Sequence, residues 1–409
     1  MTKTIQFITF LFLLIGLLTS AACGQPDEAA SPTPAAEGEG TAESIAPTTA
    51  PLPSATVEAM PTDTAVPSPS PTAQSTPIAT ADAPLTLKIN ADGSGDLPSL
   101  AEAAAYAAPG STIELSAGEF VLLDTLVIEK ALAISGAGMD QTAIVAHGAE
   151  AGLQYGGDGL LSISDLTIKH AGAAAADLLS VFSGEVELSD CRLLGAPISP
   201  RGLYGAGLFV LDEAIVRAGG CEFIDNGGAG ILLIRDAQIT LKDSLVSANQ
   251  VGILFDGRAG GEISGNIIEE NTDVGIAVFA AAQPQIGENQ IRNNLGYGMQ
   301  YELDSAGGAA RANELTNNNV IGSTATGTDI AVFGGFPPDL TGNICKGGEG
   351  LSLVLGTVVN SDPSGIVYFS ANAEWPQDIS PEDNQCAIAF CIPGSGEDDF
   401  PLSCETSQN

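Results

Sequence analysis

The sequence predicts an all-β chain wound as a solenoid of parallel strands, on three observations. A Gly followed by an apolar residue recurs as Gly207-Leu208, Gly230-Ile231, Gly252-Ile253, Gly275-Ile276 and Gly298-Met299, at spacings of 23, 22, 23 and 23 residues. A second column, Cys191, Cys221, Ser244, Asn266, Asn289, Asn313 and Asn343, advances by 30, 23, 22, 23, 24 and 30. Between the columns lie short runs of period two, such as Gly230-Ile231-Leu232-Leu233-Ile234 and Gln238-Ile239-Thr240-Leu241. Three such strands per repeat, stacked repeat upon repeat, would set each strand ~4.8 Å from its equivalents above and below.

The chain opens with one early cation, Lys3, and an uncharged run from Ile5 to Leu18. The small residues Thr19-Ser20-Ala21-Ala22 and Cys23 follow. This is the order of a secretory signal, here residues 1–22, and the apolar run is shorter than the ~20 residues that span a bilayer. The small residues ending at Cys23 resemble a bacterial lipoprotein processing site, with Ser20 where that family usually has Leu. The resemblance implies acylation of Cys23, a lipid membrane as partner and an extracytoplasmic, envelope-bound location; ordinary signal cleavage leaving a free Cys23 is the alternative. Residues 23–84 then read as a stalk. Positions 24–84 hold twelve of the 24 prolines and no Lys, Arg or aromatic residue, so they cannot bury enough apolar surface to fold.

From residue 85 the composition turns to Gly, Ile, Val and Leu. Ile89-Asn90-Ala91-Asp92-Gly93-Ser94-Gly95-Asp96 reads as a loop, Ser99 to Ala108 as a helix, and Pro109-Gly110-Ser111-Thr112-Ile113 as the entry to a strand. In the helix, Ser99 is the expected N-cap and Leu100, Ala104 and Ala107 the core face. A cap is needed because the first coil otherwise leaves an unpaired strand edge. The coils occupy residues 85–372 at 22–24 residues each. Ile231, Leu233, Ile253, Phe255, Ile276 and Val278 are expected to point inward. After Gly298 the register stretches, with resumption expected at Gly350-Leu351. Asn suits the turn column because it tolerates a left-handed backbone and its amide can bond the next coil. Residues 373–409 form a Cys-rich tail. Beyond Cys23 there are six Cys, an even number that favours disulfides in an exported chain. Cys191 and Cys221 share a column and can either bridge or stack as reduced thiols, while Cys386, Cys391 and Cys404 are expected to staple the tail to itself and to Cys345.

These columns and the opening loop, helix and strand resemble the right-handed parallel β-helix, or pectin-lyase-like, superfamily. The resemblance implies that fold and leaves the activity open, since the superfamily holds polyuronate lyases, polygalacturonases, pectin methylesterases and epimerases. Asn271-Thr272-Asp273 matches a polygalacturonase motif in letters, but it falls where neighbouring coils place Asn226, Asn249 and Asn294, and no Gly-His-Gly accompanies it. It reads as a turn.

Lys+Arg number 13 against 50 Asp+Glu, a formal net charge of −37. That surface repels phosphate backbones and excludes nucleic acid as a partner. It also suits anionic polymers poorly unless Ca²⁺ bridges them. The candidate catalytic set lies six residues after the column glycines: Glu213, Asp236 and Arg258, with Asp304 further along the column as a candidate binding residue. In register, Glu213 and Asp236 would be neighbours ~5 Å apart, a separation that suits retaining glycoside hydrolysis. A solvated charged edge is the competing reading. Asp236, Asp243, Asp256 and Glu262 could hold Ca²⁺ loosely, although no EF-hand or nonapeptide repeat is present; no other cofactor or metal is expected.

By alternation, Phe209, Leu232, Leu254 and Ala277 form one outward apolar row and Leu211, Ile234 and Phe279 another. Such a face is normally covered, by the tail, by a partner or by sugar rings stacked on Phe209 and Phe279. His147, His170 and Trp375 read as structural. Together these features point to a non-catalytic surface module that binds a polysaccharide or cell-surface partner, with a carbohydrate-active hydrolase, lyase or epimerase as the alternative.

Overall fold

The computed structural model describes residues 80–198, 205–303 and 307–318, with 320–321, 324–325, 328–333, 338–346, 352–353, 358–359, 365–369, 383–392 and 403–407. The signal, Cys23, most of the stalk, Asp304, Gly350-Leu351 and Trp375 lie outside them.

One wall of the solenoid is a 12-stranded sheet with one strand per coil, from Leu126–Ile128 to Ala387–Ile392, closed by the antiparallel strand Ser403–Ser407. The other two walls merge into one 19-stranded sheet. They merge because two long strands, Leu160–His170 and Glu185–Leu194, run through the corner between them. The column after each glycine stacks in parallel register as Leu208, Ile231, Ile253, Ile276 and Met299. The six residues expected to point inward are all fully buried.

The register resumes at Ile330, which pairs with Met299, ahead of the expected Gly350-Leu351, which lies outside the described residues. The intervening residues include a small antiparallel excursion, Val320–Ile321 against Thr324–Ala325. A second excursion, Ser352–Leu353 against Val358–Val359, lengthens the next coil. Parallel pairing also continues past residue 372, because Gly365–Phe369 pairs with Ala387–Ile392 inside the expected tail.

The corners revise the reason for asparagine. The left-handed residue is the one before each column position: Asp225, Ala248, Glu270, Asn293 and Asn317 at one corner, with φ of 53–57°, and at the other Asp243 before Ser244, then Gly265, Glu288, Ala312 and Gly342 before Asn. The Asn side chains turn inward and form two buried ladders. In the first, Asn266, Asn289, Asn313 and Asn343 each donate through Nδ2 to Oδ1 of the next Asn at 3.0 Å, ending on Asn384. The second runs Asn226, Asn249, Asn271, Asn294 and Asn318. Each Nδ2 also reaches a backbone carbonyl of the preceding coil, as Asn289 reaches Ile263 O at 2.9 Å. Buried amides survive here because they are fully paired.

At the start, Thr86–Ile89 pairs with Ser111–Leu115 and the helix α1 (Leu100–Tyr106) lies between them in sequence. Ser99 Oγ accepts from Glu102 N at 3.2 Å, as an N-cap should. Leu100, Ala104 and Ala107 are buried, with Ala103 added. Lys130 Nζ donates to the Ala105 and Ala107 carbonyls at 3.1 and 2.5 Å, placing a cation at the helix C-terminus. Cys345 and Cys386 form a disulfide between adjacent coils, whereas Cys191 and Cys221 are buried free thiols. Cys391 and Cys404 are register partners across the final antiparallel pair.

Candidate functional site

The three-residue set stands in one column. Ile215 pairs with Gln238 and Gln238 with Gly260, which puts Glu213, Asp236 and Arg258 at equivalent turn positions on successive coils. Each follows a left-handed residue, Asp212, Arg235 or Gly257, that turns the chain out of the 12-stranded sheet. Their chemistry, however, is that of a surface edge. Arg258 clasps Asp236 in a bidentate pair, Nε to Oδ1 at 2.7 Å and Nη2 to Oδ2 at 2.6 Å, so both carboxylate oxygens are engaged. The Asp236 bond in turn raises the Arg258 guanidinium above its ordinary value. Glu213 is exposed, and Arg235 on the same corner pairs with Asp212.

This pairing is general. Ten of the eleven Lys and Arg within the described residues stand within 4 Å of a carboxylate. The eleventh is Lys130 on its helix. Most pairs bridge neighbouring coils, as in Arg217–Glu185 and Arg292–Glu269, both at 2.6 Å. Each of these cations already has a partner in the chain, so an acidic polymer would have to compete for it.

The outward apolar rows are where alternation places them: Phe209, Leu232, Leu254 and Ala277 are register partners. Part of this face is covered, since Leu254 and Ala277 are 1% exposed and Phe279 3%, while Leu211 and Leu232 are half-buried. Phe279 thus presents no ring face to solvent. Phe209 is half-buried, edge-on to Phe182 with ring centroids 6.2 Å apart.

Two described acids outside the candidate set are raised furthest. Asp177, in Ala176–Val181, is pushed up to about 7 by burial while its Oδ1 accepts from Ala206 N at 2.9 Å. Asp273 is pushed up to about 6 by burial. Tyr297 is pushed up to about 12, by burial first and then by the Asp273 charge. The available signal was an acid inside an apolar run, Ala-Asp177-Leu-Leu, and the motif-like Asn271-Thr272-Asp273. In the latter, Asn271 is a ladder rung and Asp273 N donates to Gln250 O at the corner, so the turn reading holds for its backbone. His170 is structural: Gly172 N donates to Nδ1 at 3.1 Å, which leaves Nε2–H for the Gly148 carbonyl at 2.9 Å. Among the described residues no three His, Cys, Asp or Glu gather to hold a metal ion. The expected Ca²⁺ ligands are dispersed, with Asp236 on Arg258 and Glu262 on Lys242 at 3.0 Å.

A groove of about 580 Å³ opens elsewhere, on the outer face of the 19-stranded sheet, between Lys242 and Arg311 and over Glu262, Ser264, Gln285 and Gly287.

Residues 178–343 match the family described as "Right handed beta helix region". No curated protein is detectably similar in sequence. Among solved structures, the Azotobacter vinelandii mannuronan C-5 epimerase AlgE4 A-module is similar at 13% identity, covering 67% of this chain and 90% of its own, with a TM-score of 0.41. A periplasmic alginate epimerase, AlgG, is similar at 14% identity, with coverage of 69% and 74% and a TM-score of 0.40. Pectin methylesterase PemA from Erwinia chrysanthemi gives 11% identity, coverage of 72% and 93%, and a TM-score of 0.34. Likeness at this level carries no statement about activity. With the family match lying inside an unbroken parallel stack of coils, the chain is a right-handed parallel β-helix protein.

Proposed function

We propose that this protein is an extracytoplasmic β-helix, tethered through an acylated Cys23 and the 23–84 stalk, that binds a glycan or another surface partner without turning it over. The observation that carries the non-catalytic reading is the bidentate Arg258–Asp236 pair. A two-carboxyl mechanism at that column needs Asp236 free beside Glu213, and both Asp236 oxygens are committed to a guanidinium. The small residues before Cys23 support the tether. A screen of neutral and acidic polysaccharides, with and without Ca²⁺, is expected to return binding and no turnover. Turnover abolished by Glu213→Gln or Asp236→Asn in a folded protein would overturn this reading. Detergent partitioning of the chain, lost in Cys23→Ser, tests the anchor.

The enzyme alternative is favoured by one observation, the Asp273 carboxyl raised to about 6 by burial beside Tyr297. If any turnover is found, Asp273→Asn is the variant that assigns it.

A further inference from the structure

The groove on the outer face of the 19-stranded sheet is built from two rows that cross four coils. One row is Lys242, Ser264, Gly287 and Arg311; the other is Glu262, Gln285 and Ala309. Long side chains stand at the two ends of the first row, Ser264 and Gly287 leave its middle low, and Glu262 and Gln285 stand beside them in the second row. A glycine in a strand lets a ligand come close to the backbone. The ends are charge-balanced: Lys242 pairs with Glu262 and Arg311 with Asp339. Ser264 Oγ donates to Glu262 Oε1 at 3.2 Å, and the Gln285 amide is exposed between the two cations.

We infer that this groove binds an uncharged oligosaccharide lying along the solenoid axis. The inference rests on the glycan-binding reading above and names its site and ligand class. Each coil repeats the same outward positions ~4.8 Å further on. Donors and acceptors on four coils therefore recur at a spacing close to that of successive rings in an extended sugar chain. A polyhydroxyl ligand can use the Gln285 amide as donor and acceptor together, and the Glu262 carboxylate as acceptor. A cation would meet Lys242 and Arg311. An anion would meet Glu262 and Glu288 on a molecule of net charge −37.

The test is calorimetric titration of the full chain with cellohexaose, mannohexaose and xylohexaose, and with hexagalacturonate as the acidic counterpart. Gly287→Leu fills the floor without backbone strain, because Gly287 is not left-handed and an added Cβ would meet only Arg311 O at 3.5 Å. Gly219→Leu is the matched control: it lies one coil before Lys242 in the same row, and its Cβ would meet nothing within 4 Å. The expected result is binding of a neutral hexasaccharide, weakened about tenfold or more by Gly287→Leu and by Gln285→Ala, and unchanged by Gly219→Leu. Equal binding by wild type and Gly287→Leu would remove the groove as the site and leave glycan binding standing. Binding of hexagalacturonate alone would overturn the neutral class. Binding of none of the four would overturn this inference, and no binding in the wider polysaccharide screen would overturn the glycan reading on which it rests.

Discussion

Asp177 and Asp273 show how a solenoid wall changes the chemistry of single side chains. Asp177 is 5% exposed and keeps its proton to about pH 7 because burial penalises the carboxylate. An unfolded Asp releases its proton near 3.8, so the folded state binds more protons between these values. Stability therefore falls as pH rises through that window, with the penalty absent below about 3.8 and complete above about 7. Asp177→Asn retains an oxygen for Ala206 N–H. It is expected to stabilise the protein at pH 8 by at most about 4 kcal/mol, at ~1.36 per pH unit, and to have little effect at pH 3.5. Guanidinium unfolding curves at the two pH values measure the difference. Asp273, raised to about 6, acts with the same sign. The Cys191 thiol, hydrogen-bonded to the Cys221 thiol and shut away from water, titrates above its ordinary value.

At the scale of the element, the corner does most of the specifying. A left-handed residue turns the chain, and the next side chain enters the ladder. Asn289 accepts from both Asn266 N and Asn266 Nδ2 at 3.0 Å and donates to Asn313 and to Ile263. Asn289→Ala would leave several of these groups buried without partners. The expected loss is about 3 kcal/mol or more, given ~1–3 for each unsatisfied group, read as a lower denaturant midpoint. Ala312 illustrates the other half of the corner, with φ of 55° where a Cβ is crowded. Ala312→Gly is expected to raise stability by up to about 1 kcal/mol, the relief of strain being partly offset by a freer unfolded chain. The Asn spacing was visible in the sequence, as was the Ser99 cap. The division of labour within the corner was not, because Asp, Glu, Ala, Asn and Gly share the left-handed position and leave no single-letter column.

For the whole molecule, the balance lies between long-range repulsion and local pairing. The net charge is −37, while each exposed ion pair contributes ~0–1 kcal/mol. Salt screens both, but the repulsion acts over longer distances. The melting temperature is therefore expected to rise between 10 mM and 500 mM NaCl; a fall in a thermal scan would mean that the cross-coil pairs dominate.

The sequence by itself determined the repeat, the inward rows, the helical cap, the outward apolar rows and the identity of one disulfide partner, Cys345. These are periodic or local properties, and a one-dimensional string records periods directly. Only the tertiary structure decided that Arg258 closes on Asp236, that the outward face around Phe279 is covered, and that the register resumes at Ile330. Each of these depends on which residues from different coils meet, and excursions of unequal length between coils erase that information from the spacing.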